Sequence, residues 1–265
     1  MLNLTLNSVK LCRKPQIEPH NHGPSLTNGA DSAAMAAGSN ILMMHGWKSD
    51  LQSLLLLGDL LSAHNQIHLI DLPGFGKSAM HDGSWGTEQY ADCIFDFIEA
   101  NNLSNLVLLG HSFGARVAIR LAHKHPALAQ SLVLIGAAGL QPLGWKRTKR
   151  NLKLTFNRLG GPKLVSRDYL NAGNLRMTLN KAVTENLAPL ASGIKAPTLL
   201  IYGSEDTETP PEIGERYRVL IHNSTLIKLQ GKDHFPFSGT GSSLCAFHIL
   251  KFLSAIENVR LSGGK

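Results

Sequence analysis

The 265-residue chain predicts an α/β fold: a doubly wound, mostly parallel sheet flanked by helices, with one helical insert. Three observations carry this reading. Short apolar runs recur, separated by amphipathic segments of helix length. The runs are apolar throughout instead of alternating, the pattern of strands covered on both faces. The rhythm breaks once, after Gly139, and resumes at Pro197.

Residues 2–11 alternate (Leu2, Leu4, Leu6) and predict an edge strand. The polar stretch Pro15–Asn40, rich in Pro, Gly, Asn and Ser, predicts a long loop. Ile41–Met44 is the next strand. Asp50 is placed to cap a helix running to His64, with Leu51, Leu54, Leu55, Leu60 and Leu61 near one face. Ile67–Ile70 predicts a strand. Thr87 is placed to cap a helix to Ala100 that turns Tyr90, Ile94, Phe97 and Ile98 inward. Leu106–Leu109, Phe113–His125 and Leu132–Ile135 continue the alternation as strand, helix, strand. Residues Asn174–Leu187 look helical. Pro197–Tyr202, Pro211–Ile221, Ser224–Leu229 and Ser242–Ile256 then predict strand, helix, strand and closing helix. Crossovers between parallel neighbours should be right-handed.

Composition excludes several classes. With 43% hydrophobic and 17% charged residues, the chain is globular and long enough to bury a core without disulfides or metal. Cys12, Cys93 and Cys245 are odd in number and far apart, so they predict reduced thiols. No apolar run approaches the roughly 20 residues of a membrane span. Met1–Lys14 alternates instead of forming a signal-peptide core. The expectation is a cytoplasmic protein with no stable membrane insertion. The net charge of +7 is uneven: from Gly139 to Ala196 eleven basic residues face only Asp168 and Glu185, leaving the rest of the chain at −2. That basic segment lacks interleaved aromatics and any nucleic-acid motif, so no nucleic-acid partner is expected. It fits a solvated basic face, or anionic substrates.

The chemistry concentrates at Leu106–Ala118, which holds Gly110-His111-Ser112-Phe113-Gly114 between an apolar strand and an amphipathic helix. G-x-S-x-G on a strand-to-helix turn puts a serine hydroxyl at the C-terminal edge of a sheet, beside a helix N-terminus that favours negative charge. A serine nucleophile needs a base. Of the twelve histidines, His234 stands out because it follows the last predicted strand. His123, His125, His222 and His248 are assigned to helices as surface or packing residues. The base needs a carboxylate, and Gly203–Pro210 supplies Asp206, with Glu205 as its rival. The order Ser, Asp, His along the chain fits this architecture. An oxyanion site would draw on the backbone N–H groups of Phe113 and of Trp47 in His45-Gly46-Trp47. Gly76-Lys77-Ser78 imitates the end of a phosphate-binding loop, but Asp71 stands where that motif requires glycine. There is no metal-spaced His/Cys cluster. The Leu54–Leu57 run is read as core.

Four segments in order resemble the α/β-hydrolase family: His45-Gly46-Trp47, Asp71–Ser78, Gly110–Ala115, and the pairing of Gly203…Asp206…Pro210 with His234. They span residues 40–257. The resemblance implies a serine hydrolase acting on a small ester-like substrate, with Ser112, His234 and Asp206 as the triad and no cofactor or metal. It implies residues 1–138 and 191–265 as the core domain, with 12–40 a long loop, and residues 139–190 as a helical cap insert. Two departures stand out: Asp233 precedes His234 where the family often has glycine, and the 12–40 stretch is longer than the usual connection. Carbon–carbon bond hydrolysis on the same triad, and ligand binding without catalysis on a hydrolase scaffold, are the alternatives. Oligomeric state is left open.

Overall fold

In the computed structural model, described for residues 7–11, 38–82, 84–140 and 172–262, seven strands form one sheet in the order β1-β3-β2-β4-β5-β6-β7. The strands are β1 (Ser8–Leu11), β2 (Asn40–Met44), β3 (Gln66–Ile70), β4 (Leu106–His111), β5 (Ala129–Ile135), β6 (Thr198–Gly203) and β7 (Ser224–Leu229). β1 runs antiparallel to β3, and every other pairing is parallel. The doubly wound fold class predicted from the apolar runs is therefore the observed one.

The described helices are α1 (Leu55–Leu61), α2 (Thr87–Ala100), α3 (Phe113–Lys124), α4 (Arg176–Thr184), α5 (Ala188–Ser192), α6 (Pro211–Leu220) and α7 (Gly241–Ser262). They divide between the two faces of the sheet. One core cluster sets Tyr90, Ile94, Val117, Leu121 and Tyr217 against Leu42, Leu108, Leu134 and Leu200. The other sets Leu54, Leu57, Cys245 and Ile249 against Ile41, Val107, Val133 and Leu199. Residues of opposite parity along each strand thus feed opposite layers, which is why the strands read as unbroken apolar runs. β7 departs from that rule. Among the described residues it is an edge strand with a single neighbour, and only Leu229 in it is buried.

Several sequence expectations shift locally. Asp50 caps as predicted, accepting the Gln52 N–H at 3.0 Å, but the segment opens as a 3₁₀ turn over Leu51–Leu54 and α1 ends at Leu61 instead of His64. The Ser62 hydroxyl and Asn65 amide close it by donating to the Asp59 and Leu61 carbonyls. Thr87 is not the cap of α2. Gly86 holds that position, with its N–H given to Gln89 Oε1 at 2.8 Å, because the Thr87 hydroxyl is occupied by Glu185, 2.7 Å away. In α2, Tyr90, Ile94 and Ile98 are buried while Phe97 is half-buried. In the Leu54–Leu57 run, Leu54 and Leu57 are core but Leu56 is exposed. His222 lies in the bend after α6, not on a helix. Leu2, Leu4, Leu6, residues 12–37 of the predicted loop and residues 141–171 of the predicted insert lie outside the described residues.

Two chain directions diverge at the centre of the sheet. The chain leaves β2 towards β3 on one side and leaves β4 towards β5 on the other. The crevice outside the C-terminal ends of β2 and β4 is the switch point where ligands bind in open α/β sheets. The loops carrying Trp47 and Ser112 both start there.

Candidate active site

Ser112 occupies a turn that only its neighbours' lack of side chains permits. Its φ is 49° and ψ −103°, outside the basins an L-residue prefers, and such strain gathers at functional positions. A Cβ on Gly110 would stand 2.5 Å from the Gly114 carbonyl oxygen, and one on Gly114 would stand 2.3 Å from that of Met44. The two glycines of G-x-S-x-G therefore let the turn close against α3 and against the end of β2. The Ser112 N–H bonds the Ile135 carbonyl at 3.0 Å, tying the turn to β5.

Three predicted side chains meet here. Ser112 Oγ lies 2.9 Å from His234 Nε2, and His234 Nδ1 lies 2.7 Å from Asp206 Oδ2. Since the carboxylate only accepts, Nδ1 carries the proton and Nε2 offers its lone pair to the serine hydroxyl. Asp206 is buried, while its rival Glu205 is exposed. Burial pulls the Asp206 pKa upward, but hydrogen bonds from His234 and the Thr209 amide outweigh that and hold it below the ordinary value. Asp206 Oδ1 takes the N–H groups of Glu208 and Thr209, both at 2.8 Å. Asp233 turns away from the imidazole and accepts the Phe235 N–H at 2.9 Å.

Trp47 and Phe113 reach the same place. They line a cavity of about 160 Å³ with Ser112, His234, Thr209 and Glu208, roofed by Leu179, Ala182 and Val183 of α4. Among the described residues neither Trp47 N–H nor Phe113 N–H has a hydrogen-bond acceptor. The first N–H of a helix has none within the helix. The Trp47 N–H is aimed by its own peptide unit. His45 Nε2 accepts the Leu72 N–H at 3.0 Å, so Nδ1 holds the proton and donates to the Gly46 carbonyl at 2.8 Å. Fixing that carbonyl directs the trans N–H of the same planar unit the opposite way.

Four supporting residues were not singled out from the sequence. His111, between Gly110 and Ser112, donates from Nε2 to the His234 carbonyl at 2.9 Å and so ties the loop carrying His234 to β4. Burial pushes its pKa down to about 3, so the ring is neutral. The Thr209 hydroxyl sits 2.8 Å from Asp206 Oδ2, 3.0 Å from the Gly136 carbonyl and 3.1 Å from His234 Nδ1. Glu208 Oε2 comes within 3.7 Å of His234 Nε2. Asp71, which opens the Asp71–Ser78 segment of the family resemblance but was given no role, organises Leu72–Ser78: its carboxylate accepts from Leu51, Lys77 and Asn7 at 2.7–2.8 Å. A Cβ on Gly76 would collide with that carboxylate. The signal for His111 was its place inside the motif, at the end of a fully buried strand. Thr209 and Glu208 had none, because a short polar loop gives no period from which to read side-chain direction.

Chemically, the arrangement offers a hydroxyl on an imidazole nitrogen, a buried carboxylate behind it, one backbone N–H at the start of α3 and another in the loop after β2. A sequence profile described as the alpha/beta hydrolase family matches residues 41–239. The chain belongs to the alpha/beta hydrolase family. Among curated relatives, the pimeloyl-[acyl-carrier protein] methyl ester esterase of Vibrio cholerae is 23% identical over 242 residues, covering 78% of this chain and 92% of that one. A 1-acylglycerol-3-phosphate O-acyltransferase of Arabidopsis thaliana is 36% identical over 104 residues, a match spanning 37% of this hydrolase but only 25% of the relative's length. Among solved structures, a thermophilic esterase from Thermogutta terrifontis superposes with a TM-score of 0.70 at 17% identity, covering 96% of this hydrolase and 94% of the esterase. A meta-cleavage product hydrolase does so with a TM-score of 0.69 at 16% identity, covering 96% of each. Among the described residues no group of three or more His, Cys, Asp or Glu is arranged to hold a metal, and no helix is long and apolar enough to cross a membrane.

Proposed function

We propose that this hydrolase is a serine esterase working through an acyl-enzyme. Ser112 attacks the ester carbonyl while His234 takes its proton at Nε2. Asp206 holds the imidazole tautomer and stabilises the imidazolium without taking the proton. The N–H groups of Trp47 and Phe113 receive the developing oxyanion. His234 then returns the proton to the leaving alcohol and activates the water that releases the acid. Residues 139–190 serve as the cap, with α4 closing over the serine.

The observation that carries this reading is the unbroken contact from Ser112 Oγ to His234 Nε2 at 2.9 Å and from His234 Nδ1 to Asp206 at 2.7 Å, built on a strained turn that packing alone does not require. The esterase relative aligned over most of its length supports the same choice of bond. The test is hydrolysis of p-nitrophenyl esters, from acetate to longer acyl chains, by the wild type and Ser112→Ala. Ser112→Ala should lower kcat by about 10⁴-fold or more. Activity surviving in that variant would remove Ser112 from its role. A folded wild type inert towards every ester would shift the reading to carbon–carbon bond hydrolysis or to ligand binding.

A further inference from the structure

One charged side chain in the cavity wall is not accounted for by the reaction. Arg116 lies one helical turn beyond Ser112 on α3 and lines the same cavity. One of its N–H groups donates to the Ala182 carbonyl of α4 at 2.5 Å. Among the described residues no carboxylate lies within ion-pairing distance of it. Glu185, the nearby acid, is committed to Arg120 and to the Thr87 hydroxyl. The Tyr217 hydroxyl is spent on the Ala138 carbonyl. Glu208, on the cavity wall, has a side chain 61% exposed, so water screens its charge. Burial lowers the Arg116 pKa, with Glu185 offsetting part of the effect, yet a guanidinium stays protonated in proteins. Holding α4 needs a single neutral donor. A half-buried cation still gains from a partner of opposite charge, and Arg116 lines the cavity beside Ser112.

We propose that Arg116 binds a carboxylate of the substrate, so that the preferred substrates are esters carrying a free acid group a short chain away from the scissile carbonyl. This rests on Ser112 being the nucleophile. A planar guanidinium matches a carboxylate through paired hydrogen bonds, which sets orientation as well as affinity. The cavity, at about 160 Å³, is smaller than the pockets that hold drug-sized ligands. A short acid-bearing chain is the group it suits. Arg116 is thus a specificity-determining residue. It takes no part in the proton transfers.

The test compares two esters of equal chain length, monomethyl glutarate and methyl pentanoate, with wild type, Arg116→Gln and Arg116→Lys, following acid release by titration. The wild type should favour monomethyl glutarate in kcat/KM by about 10- to 100-fold, the value of a charge-assisted hydrogen bond. Arg116→Gln should lose that preference mainly through KM and keep methyl pentanoate activity within about threefold. Arg116→Lys should fall between. Equal rates on both esters in the wild type, or equal losses on both in Arg116→Gln, would overturn the proposal. A variant that does not fold leaves the wild-type preference to decide it. If the wild type hydrolyses neither ester, the p-nitrophenyl ester series judges the esterase reading separately. Thermal melting with free glutarate then judges the anion site: a rise of roughly 2–4 °C in the wild type and none in Arg116→Gln supports it, and no rise in the wild type removes it.

Discussion

At the C-terminal edge of the sheet, a cavity of about 160 Å³ is walled by Ser112, His234, Arg116 and Glu208. At the N-terminal edge, between the starts of β4–β7 and helix α7, lies a larger one of about 790 Å³, walled by Leu128, Pro197, Phe252, Ile256 and Val259 with Asn105 and Arg260 at its rim. Each edge holds a non-glycine residue at positive φ, but of a different kind. Asn105, at 56°, is of a type that enters the left-handed region at little cost. Ser112 pairs its 49° with a ψ of −103°, a combination that the surrounding backbone must enforce. The larger hollow belongs to packing between a helix and the strand starts. The smaller one holds the strain, a half-buried guanidinium and the hydrogen-bonded imidazole. On the proposed reading, volume is a poorer guide than conformational cost to where the chemistry sits.

The sharpest way to break that contrast is at the carboxylate. Asp206→Asn should lower kcat by about 10⁴-fold, because an amide that donates to Nδ1 would move the imidazole proton to Nε2 and leave Ser112 without a base. Glu205→Gln, one residue away and exposed, should change kcat by less than about twofold. Comparable losses in the two variants, measured on one p-nitrophenyl ester, would mean that the loop as a whole matters and not the atom that faces His234.

The opposite edge should answer in stability instead of rate. Phe252 is half-buried and packs on the α1/α7 face of the core. Phe252→Ala should cost about 2 kcal/mol by loss of burial while kcat/KM stays within about twofold below the melting transition. Urea unfolding and ester kinetics on the same preparation check both halves. A large drop in kcat/KM without unfolding would show that the two edges are coupled and that the far cavity is not merely structural.

Much of this division was legible in the sequence. Parallel strands buried on both faces leave unbroken apolar runs, so β2 to β6 could be placed within a few residues, and a serine between two glycines on such a strand end marks the turn. Asp206 and His234 were legible because the fold delivers loop residues after β6 and β7 to the same edge. What could not be read were contacts made across the chain by side chains on irregular segments. Thr87 has the form of a helix cap, yet its hydroxyl is drawn off by Glu185, nearly a hundred residues later. Arg116 reads as one more basic residue on an amphipathic helix, since nothing in its spacing tells that α4 will cover it. Asp71 stood in a recognisable motif but its role was hidden, because two of the three donors that converge on it, Asn7 and Leu51, come from distant parts of the chain.

The smallest effect separates the edges by pH. His45 and His111, buried under the Ser112 turn, both have pKa values lowered first of all by burial; among the described residues, no histidine lines the far cavity. For His111 the folded value is about 3 against an ordinary 6.5. The unfolded chain therefore binds a proton that the folded one refuses throughout that interval. The stabilisation is fully present above pH 6.5 and drains away as pH falls towards 3. Gln at this position can still donate to the His234 carbonyl but cannot titrate. Between pH 7 and pH 5 the wild type should therefore lose about 1–2 kcal/mol more unfolding free energy than His111→Gln, at 1.36 kcal/mol per pH unit below the unfolded pKa. Urea denaturation at the two pH values reads the difference directly. Identical losses would mean that His111 is protonated in the folded protein at pH 5. The bond from its Nε2 would survive that, but its Nδ1, which has no partner among the described residues, would then be a buried N–H and not a bare lone pair.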